Sequence, residues 1–470
     1  MNSVTRFWHI WRAIRQEPPE IERLQRRRAA DLVAFARHFS PFYYRHYRHL
    51  PASGDYAWHD LPPVTKSTLM DHYDQWATDP AVTRAGVDAF VGDKTLVGQS
   101  FLDRYAVFVT SGTTGTPGIF LHDAKALSVY DQLWFLRGWL PWQGWARIMD
   151  VLRPGFAEVF VVASGDHYAG ATQFERLRRR YPWMARRLHS VSILLPHTEV
   201  VSKLNLLQPT VLATYPTALP LLSREQQDGR LHIHPQFILS SGEWLMPAVR
   251  QEAAAAFGCA VREMYSSSEF FYMAFACDQR RLHVNADWLL LEPVDGDYRP
   301  VPPGELSHTT LITNLANRVQ PIIRYDLGDR TALDAEPCPC GNRMPTVRVE
   351  GRRDEVLAFR QDGGALVQVL PMALATVVET TPGVRRYQLI QVGPKTLRVR
   401  LEVRPDAEAP SVWRNVTANL HSFLASQGAS GVTINQAEER PHRDPRTGKF
   451  RQVWQEMKSV AGSGPQAPAA

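Results

Sequence analysis

A run of hydroxyls and glycines stands out first. Thr110, Ser111, Gly112, Thr113, Thr114 and Gly115, followed by Thr116, Pro117 and Gly118, lie between the apolar stretch 105–109 and the apolar Ile119, Phe120 and Leu121. Glycines let a backbone take positive φ and turn its N–H groups inward, and such a nest of amides among hydroxyls binds anions. The stretch does not end in Gly-Lys-Ser/Thr and does not open a helix, so it is not the common P-loop. It reads as strand, loop, strand, with the loop shaped for phosphate. The bland reading is a solvated linker; the strand in front and the apolar run behind weigh against it.

Four further stretches carry chemistry. Gly242 and Glu243 follow the strand-like 237–240, and a glycine at a strand end admits a flat ligand. Tyr265, Ser268 and Glu269 combine a ring that stacks on a purine, a hydroxyl for phosphate and a carboxylate for Mg²⁺. Asp329 follows Gly328, and a carboxylate there can accept hydrogen bonds from both ribose hydroxyls. Lys449 sits in Thr447-Gly448-Lys449 near the C-terminus, a mobile ammonium suited to charge that develops in a transition state. Plain alternatives are a strand-to-helix turn, a capped serine loop, a solvated turn and a surface lysine. Cys277, His283, Cys338 and Cys340 form a separate set: four soft ligands with no open position suit a structural Zn²⁺. Cys259 has no partner in sequence and reads as a core residue.

These residues need elements to position them. The chain of 470 residues exceeds one compact core, and 44% hydrophobic with 21% charged residues is globular in character. Residues 1–50 are helical in pattern. Between 120 and 240 helical stretches alternate with short apolar runs at 148–152, 159–163, 191–195, 211–213 and 237–240, which predicts an α/β sheet with crossover helices. From Gly351 a smaller α+β unit follows. The expected division is 1–351, 352–460 and a disordered tail over 461–470, rich in Gly, Ser, Pro and Ala. No apolar run approaches the ~18 residues of a membrane span. Met1 to Arg15 mixes Trp with Arg and does not read as a signal peptide, so a helix packed on its own domain and a cytoplasmic chain are expected. The net charge of +6 is diffuse: it excludes a nucleic-acid footprint and suits anionic substrates.

In order along 105–452, these segments resemble the signature segments of the adenylate-forming superfamily of acyl-CoA synthetases, luciferases and adenylation domains. They are most similar to the phenylacetate-CoA ligase branch. The resemblance implies a large N-terminal α/β adenylation domain with a small mobile α+β C-terminal domain. It implies ATP-dependent activation of a carboxylic acid to an acyl-adenylate, with transfer to coenzyme A. By the resemblance, Thr110 to Gly115 cradle phosphates and Gly242 and Glu243 lie along the adenine. Tyr265 flanks the adenine, Ser268 contacts the α-phosphate and Glu269 binds Mg²⁺. Asp329 and Arg352 hold the ribose and phosphate, Asp354 is the hinge, and Lys449 is catalytic. The acyl pocket is expected from Tyr215, Trp244, Phe270, Phe271 and Tyr272, whose aromatic walls suit an aryl or arylacetic acid. Ser266 replaces the family's glycine, and the lysine that many members carry beside the loop proline is absent; His122 and Lys125 are the substitutes in reach. A non-coenzyme A acceptor (amine, hydroxyl or carrier protein), a degenerate nucleotide-binding module and a homodimer stay open.

Overall fold

The computed structural model describes residues 3–51, 56–110, 118–143, 155–162, 167–193, 195, 197–352, 357–361, 366–369, 374, 377–378, 381–442 and 453–456. Ser111 to Gly115, the run 148–152, Asp354, Lys449 and the tail 461–470 lie outside these residues. The chain divides into two compact units, the first over 1–350 and the second beginning at Gly351.

The first unit is built on a nine-stranded sheet. Its strands β3 (Glu158–Val162), β4 (Leu188–Ser192), β5 (Val211–Thr214), β6 (Phe237–Ser241) and β7 (Ala260–Tyr265) are parallel, in the order β7-β6-β5-β3-β4. Helices 169–180, 197–207, 219–227 and 247–257 return the chain between them. Both faces of this sheet are covered, which is why the strands read as continuous apolar runs and not as alternations. Leu212 and Ile238 pack against Leu204, Leu219 and Phe257 on one side. Val211, Ala213, Phe237 and Leu239 face the main core on the other. The apolar run at 191–195 extends past its strand: β4 covers Leu188–Ser192, because its parallel pairing ends where Val162 of β3 ends. Ile193 and Leu195 pack on the core from the loop beyond.

Antiparallel strands extend the sheet: β8 (Ala274–Ala276), β9 (Leu282–Val284), β13 (Asp329–Leu333) and β14 (Thr346–Arg352) continue it in the order β7-β8-β9-β14-β13. Two further sheets belong to the unit among the described residues. One is the hairpin of β1 (Ala106–Val109) and β2 (Ile119–His122); the other joins β10 (Leu289–Val294), β11 (Thr309–Asn314) and β12 (Tyr325–Asp326). The N-terminal helix Ser3–Ala13 packs on its own domain, burying Ile10 and Ala13 and sending Arg6 to Ser128 at 2.8 Å. Arg137 locks this layer from inside. It is buried, pairs with both carboxylate oxygens of Asp287 at 2.7 and 2.8 Å, and donates to the Ile10 carbonyl at 2.9 Å.

The second unit is α+β. Strands β17 (Val384–Gly393), β18 (Thr396–Val403), β19 (Thr433–Gln436) and β20 (Val453–Gln455) form a sheet in the order β19-β18-β17-β20. The helix Ala409–Ser426 buries Val412, Val416, Leu420 and Leu424, one stripe at i, i+4 spacing, in the core that this sheet shares. A hairpin of β15 (Leu357–Arg360) and β16 (Leu366–Val369) contributes Leu357, Phe359 and Val369 to the same core. Among the described residues no helix is long and apolar enough to cross a membrane.

Candidate active site

The parallel strands end together, and the candidate residues follow their carboxyl ends. Tyr215 follows β5, Gly242, Glu243 and Trp244 follow β6, and Tyr265 closes β7. The register pairs Thr214 with Ser240 and Ser241 with Met264, so these ends are neighbours. Crevices at the carboxyl ends of parallel strands are where open α/β sheets bind ligands. Gly242 has φ +83°, and a Cβ there would meet the Tyr215 ring at 3.2 Å. Glycine is therefore required twice, by its backbone and by the ring beside it. The flat group that Gly242 admits in this structure is the side chain of Tyr215.

The hairpin β1–β2 presents the phosphate-loop stretch. Both strands are buried throughout, and Val109 pairs with Ile119. Thr110 closes the base of the loop from both directions. Its N–H donates to the Gly118 carbonyl at 2.9 Å, and its hydroxyl accepts from the Gly118 N–H at 2.8 Å. A Cβ on Gly118 would meet Cδ of Lys66 at 3.3 Å, so the Lys66 stem runs beside the closing residue of the loop. The sequence reading missed Lys66. The signal was present in Val64-Thr65-Lys66-Ser67, where Thr65 caps the helix Lys66–Asp71, but nothing local ties it to a loop more than forty residues on.

Tyr265 and Asp329, 64 residues apart, are brought together: the Tyr265 hydroxyl donates to a carboxylate oxygen of Asp329. Asp326, three residues earlier, is engaged elsewhere, accepting from Thr309, Tyr298 and the Gly328 N–H. Glu269 is 5% exposed, and its Oε1 accepts from the Tyr325 hydroxyl at 2.8 Å. The Ser268 carbonyl accepts from Nε2 of His122 at 2.9 Å, and the Glu269 carbonyl accepts from Nδ2 of Asn314 at 2.9 Å.

His122 is therefore not a substitute for the missing loop lysine. It is fully buried, its ring is committed to Ser268 and to Tyr130, and burial holds its pKa at about 4, so the ring is neutral. Lys125 is exposed, on the first turn of the helix Ala124–Leu133. Of the aromatic residues after Glu269, Phe270 has no exposed surface and packs on Tyr130, while Tyr272 stacks on Trp134. These two rings support the segment from behind. Phe271 leans on Phe108 of β1. The Arg352 side chain, like Ser111 to Gly115, Asp354 and Lys449, is not among the described positions.

The four metal-ligand candidates do converge. The ligand atoms of Cys277, His283, Cys338 and Cys340 all lie within 4.8 Å of one another. The Cys277 and Cys338 sulfurs are 3.6 Å apart, and the Cys340 sulfur is 3.2 Å from Nε2 of His283. Two thiolates on one tetrahedral Zn²⁺ stand ~3.8 Å apart, from bonds of ~2.3 Å. Nδ1 of His283 donates to the Met344 carbonyl at 3.0 Å, which leaves the Nε2 lone pair for the metal. Burial lowers the His283 pKa and favours that neutral ring. Burial, with the neighbouring Cys338 and Cys277, pushes the Cys340 thiol up to about 12. The donor set fits zinc.

No family model matches the chain. Among curated proteins, it is 23% identical over 228 residues to Protein CapK of Staphylococcus aureus, covering 47% of this chain and 48% of that protein. It is 30% identical over 162 residues to the phenylacetate-coenzyme A ligase of Thermus thermophilus, covering 33% of this chain and 34% of that protein. The matches thus span half or less of the length of these relatives. Among solved structures, 2-hydroxyisobutyryl-CoA ligase in its postadenylation state, in complex with 2-HIB-AMP, superposes with a TM-score of 0.65 at 20% identity, over 95% of this chain and 91% of that one. The fold is that of the adenylate-forming acyl-CoA ligases, a large α/β domain with a smaller C-terminal one. The sequence resemblance to the phenylacetate-CoA ligase branch agrees with it.

Two outcomes are expected. Metal analysis of purified protein gives about one Zn²⁺ per chain, and Cys338→Ser loses both the metal and stability; well-folded wild type without zinc would remove the metal assignment. The second concerns pH. His122 releases its proton at about 4 when folded, against 6.5 ordinarily, so the unfolded chain binds more protons between these values. Stability from this group is complete above 6.5 and is lost as pH falls toward 4, by at most about 3 kcal/mol. Glu158, pushed up to about 7 by burial, acts in the opposite sense between 4.5 and 7. Urea unfolding at pH 7 and pH 5 therefore shows a smaller stability loss on acidification in His122→Phe than in wild type.

Proposed function

We propose that the chain activates a carboxylic acid with Mg·ATP and passes the acyl group to coenzyme A. The supporting observation is the convergence of Gly242, Tyr265, Ser268, Glu269 and Asp329 at the carboxyl ends of the parallel strands, tied by the hydrogen bond from Tyr265 to Asp329. In this reading a carboxylate oxygen of the acid attacks the α-phosphorus of ATP, the bond to pyrophosphate breaks, and an acyl-adenylate forms. The thiol of coenzyme A then attacks the acyl carbon and AMP leaves. Tyr265 flanks the adenine, Asp329 and Arg352 hold the ribose, and Ser268 and the stretch from Thr110 to Gly115 bind phosphates. Glu269 would hold Mg²⁺, which neutralises charge on the phosphates; its carboxylate is oriented by Tyr325 and fits that role.

Lys66 supplies the cation that the loop itself lacks. Its stem already lies against Gly118. Lys449 bridges the carboxylate and the α-phosphate and is withdrawn by movement about Asp354. Tyr215, Trp244 and Phe271 are the assigned acyl-pocket walls, and their flat faces favour an aryl or arylacetic acid. The Cys277, His283, Cys338 and Cys340 set holds a structural Zn²⁺. A cytoplasmic setting accompanies the use of ATP and coenzyme A. The first test is pyrophosphate release over a panel of carboxylic acids, with and without coenzyme A. Acid-dependent release supports adenylation, and a thioester product identifies the acceptor.

Two variants probe the assignments. Lys449→Ala fails with acid and ATP by a factor of ~100–1000, yet converts supplied acyl-adenylate and coenzyme A at near the wild-type rate. Equal losses in both half-reactions, in a folded variant, would contradict domain alternation. Lys66→Ala raises KM for ATP by a factor of ~10–100, the worth of one charge-assisted contact, with KM for the acid unchanged. An unchanged KM for ATP would return Lys66 to a purely structural role.

A further inference from the structure

We propose that His122 is a positioning residue that ties β2, the strand that follows the hydroxyl-rich stretch, to the Ser268–Glu269 segment, fixing Ser268 and Glu269 relative to that strand. The inference rests on the roles assigned above to Ser268 and Glu269. His122 is the last residue of β2, the strand that leaves the loop, and it lies 146 positions before Ser268.

The direction of every hydrogen bond in the chain of contacts is determined. Oδ1 of Asn314 accepts from the backbone N–H groups of Ala316 at 3.0 Å and Asn317 at 3.2 Å. Its Nδ2 must then donate, and it does so to the Glu269 carbonyl and to the Tyr130 hydroxyl, both at 2.9 Å. With Asn314 donating to it, the Tyr130 hydroxyl sends its own proton to Nδ1 of His122, at 3.1 Å. Nε2 therefore carries the ring proton and donates it to the Ser268 carbonyl. Two successive carbonyls of the Ser268–Glu269 segment are thus held by one network, and Tyr325 holds the Glu269 carboxylate.

The residue before it on β2 is anchored by the same kind of contact. The Leu121 N–H donates to Oε1 of Gln320 and its carbonyl accepts from Nδ2 of Asn317, both at 2.7 Å. Among the described residues β2 pairs with β1 alone, and side-chain amides bond its other edge. His122 is the one residue of the pair 121–122 that reaches the catalytic segment. The position demands an acceptor toward Tyr130 and a donor toward Ser268, which neutral histidine and glutamine can provide and phenylalanine cannot.

The test compares His122→Phe and His122→Gln with wild type in acid-dependent pyrophosphate release, titrating Mg²⁺. Misplacement of a reacting group by about 1 Å can cost ~100-fold. His122→Phe is expected to lower kcat by a factor of ~10–100 and to raise the half-saturating Mg²⁺ concentration, with KM for the acid and zinc content unchanged. His122→Gln recovers most of kcat and the wild-type Mg²⁺ requirement. A folded His122→Phe protein with wild-type kcat and Mg²⁺ requirement overturns the proposal, as does a folded glutamine variant no better than phenylalanine. If the phenylalanine variant does not fold, Tyr130→Phe replaces it, with the same expected loss and the same contrary outcome. Imidazole ¹⁵N spectra of the wild type show Nε2 protonated and Nδ1 not; the reverse tautomer also overturns it. Those spectra need no turnover, so wild type with the expected tautomer but no acid-dependent pyrophosphate release would count against the proposed function and not against the hydrogen-bond chain. In that case the thermal shift given by Mg·ATP decides the coupling: it is smaller in His122→Phe if His122 positions the segment, and equal if it does not.

Discussion

The amide of Asn314 is the constraint on which the site depends. A carboxamide has one acceptor end and one donor end, and here the acceptor end is taken by two backbone N–H groups. Nothing beyond it can then reverse: Tyr130 donates onward, His122 is locked in one tautomer, and the Ser268 and Glu269 carbonyls are both claimed. Buried polar groups are costly when unpaired and strong when a network satisfies them all. Asn314, Tyr130 and His122 are all fully buried, so the network holds the Ser268–Glu269 segment from the interior of the fold.

Around that network the fold divides its labour by strand direction. The parallel half of the large sheet supplies a row of loop ends, and Tyr215, Gly242 and Tyr265 stand on three adjacent ones. The antiparallel half supplies frame: β9 and β14 carry His283 and Thr346 opposite each other, next to the cysteine knuckle. The knuckle also reaches outward. The Arg343 N–H donates to the Ile14 carbonyl, and its guanidinium pairs with Glu17, so the loop that groups the thiols also fastens the turn between the first two helices. Arg137 on Asp287 and Ile10, and Arg6 on Ser128, attach the N-terminal helix itself to the large unit.

Local sequence determined a good deal. The buried strands at 106–109, 211–214 and 237–241 were legible because a strand covered on both faces has to be apolar throughout. The strand–loop–strand form about Gly118 followed from apolar runs on either side of a hydroxyl-rich loop, and the cysteine and histidine set was visible because thiols of this spacing are rare. Candidate residues on strand ends could be picked out by type, since carboxylates, tyrosines and glycines in turns have few chemical uses.

Tertiary structure alone decided what those residues touch. That Tyr265 meets Asp329, that the Lys66 stem reaches Gly118 and that His122 faces Ser268 are consequences of strand order and hairpin placement, which join positions 64, 52 and 146 residues apart. No local period encodes such pairings. The same holds for burial: His122 looked like a free cation and Phe270 like a pocket wall, and both are enclosed, because exposure is set by which elements pack over a residue and not by the residue's type.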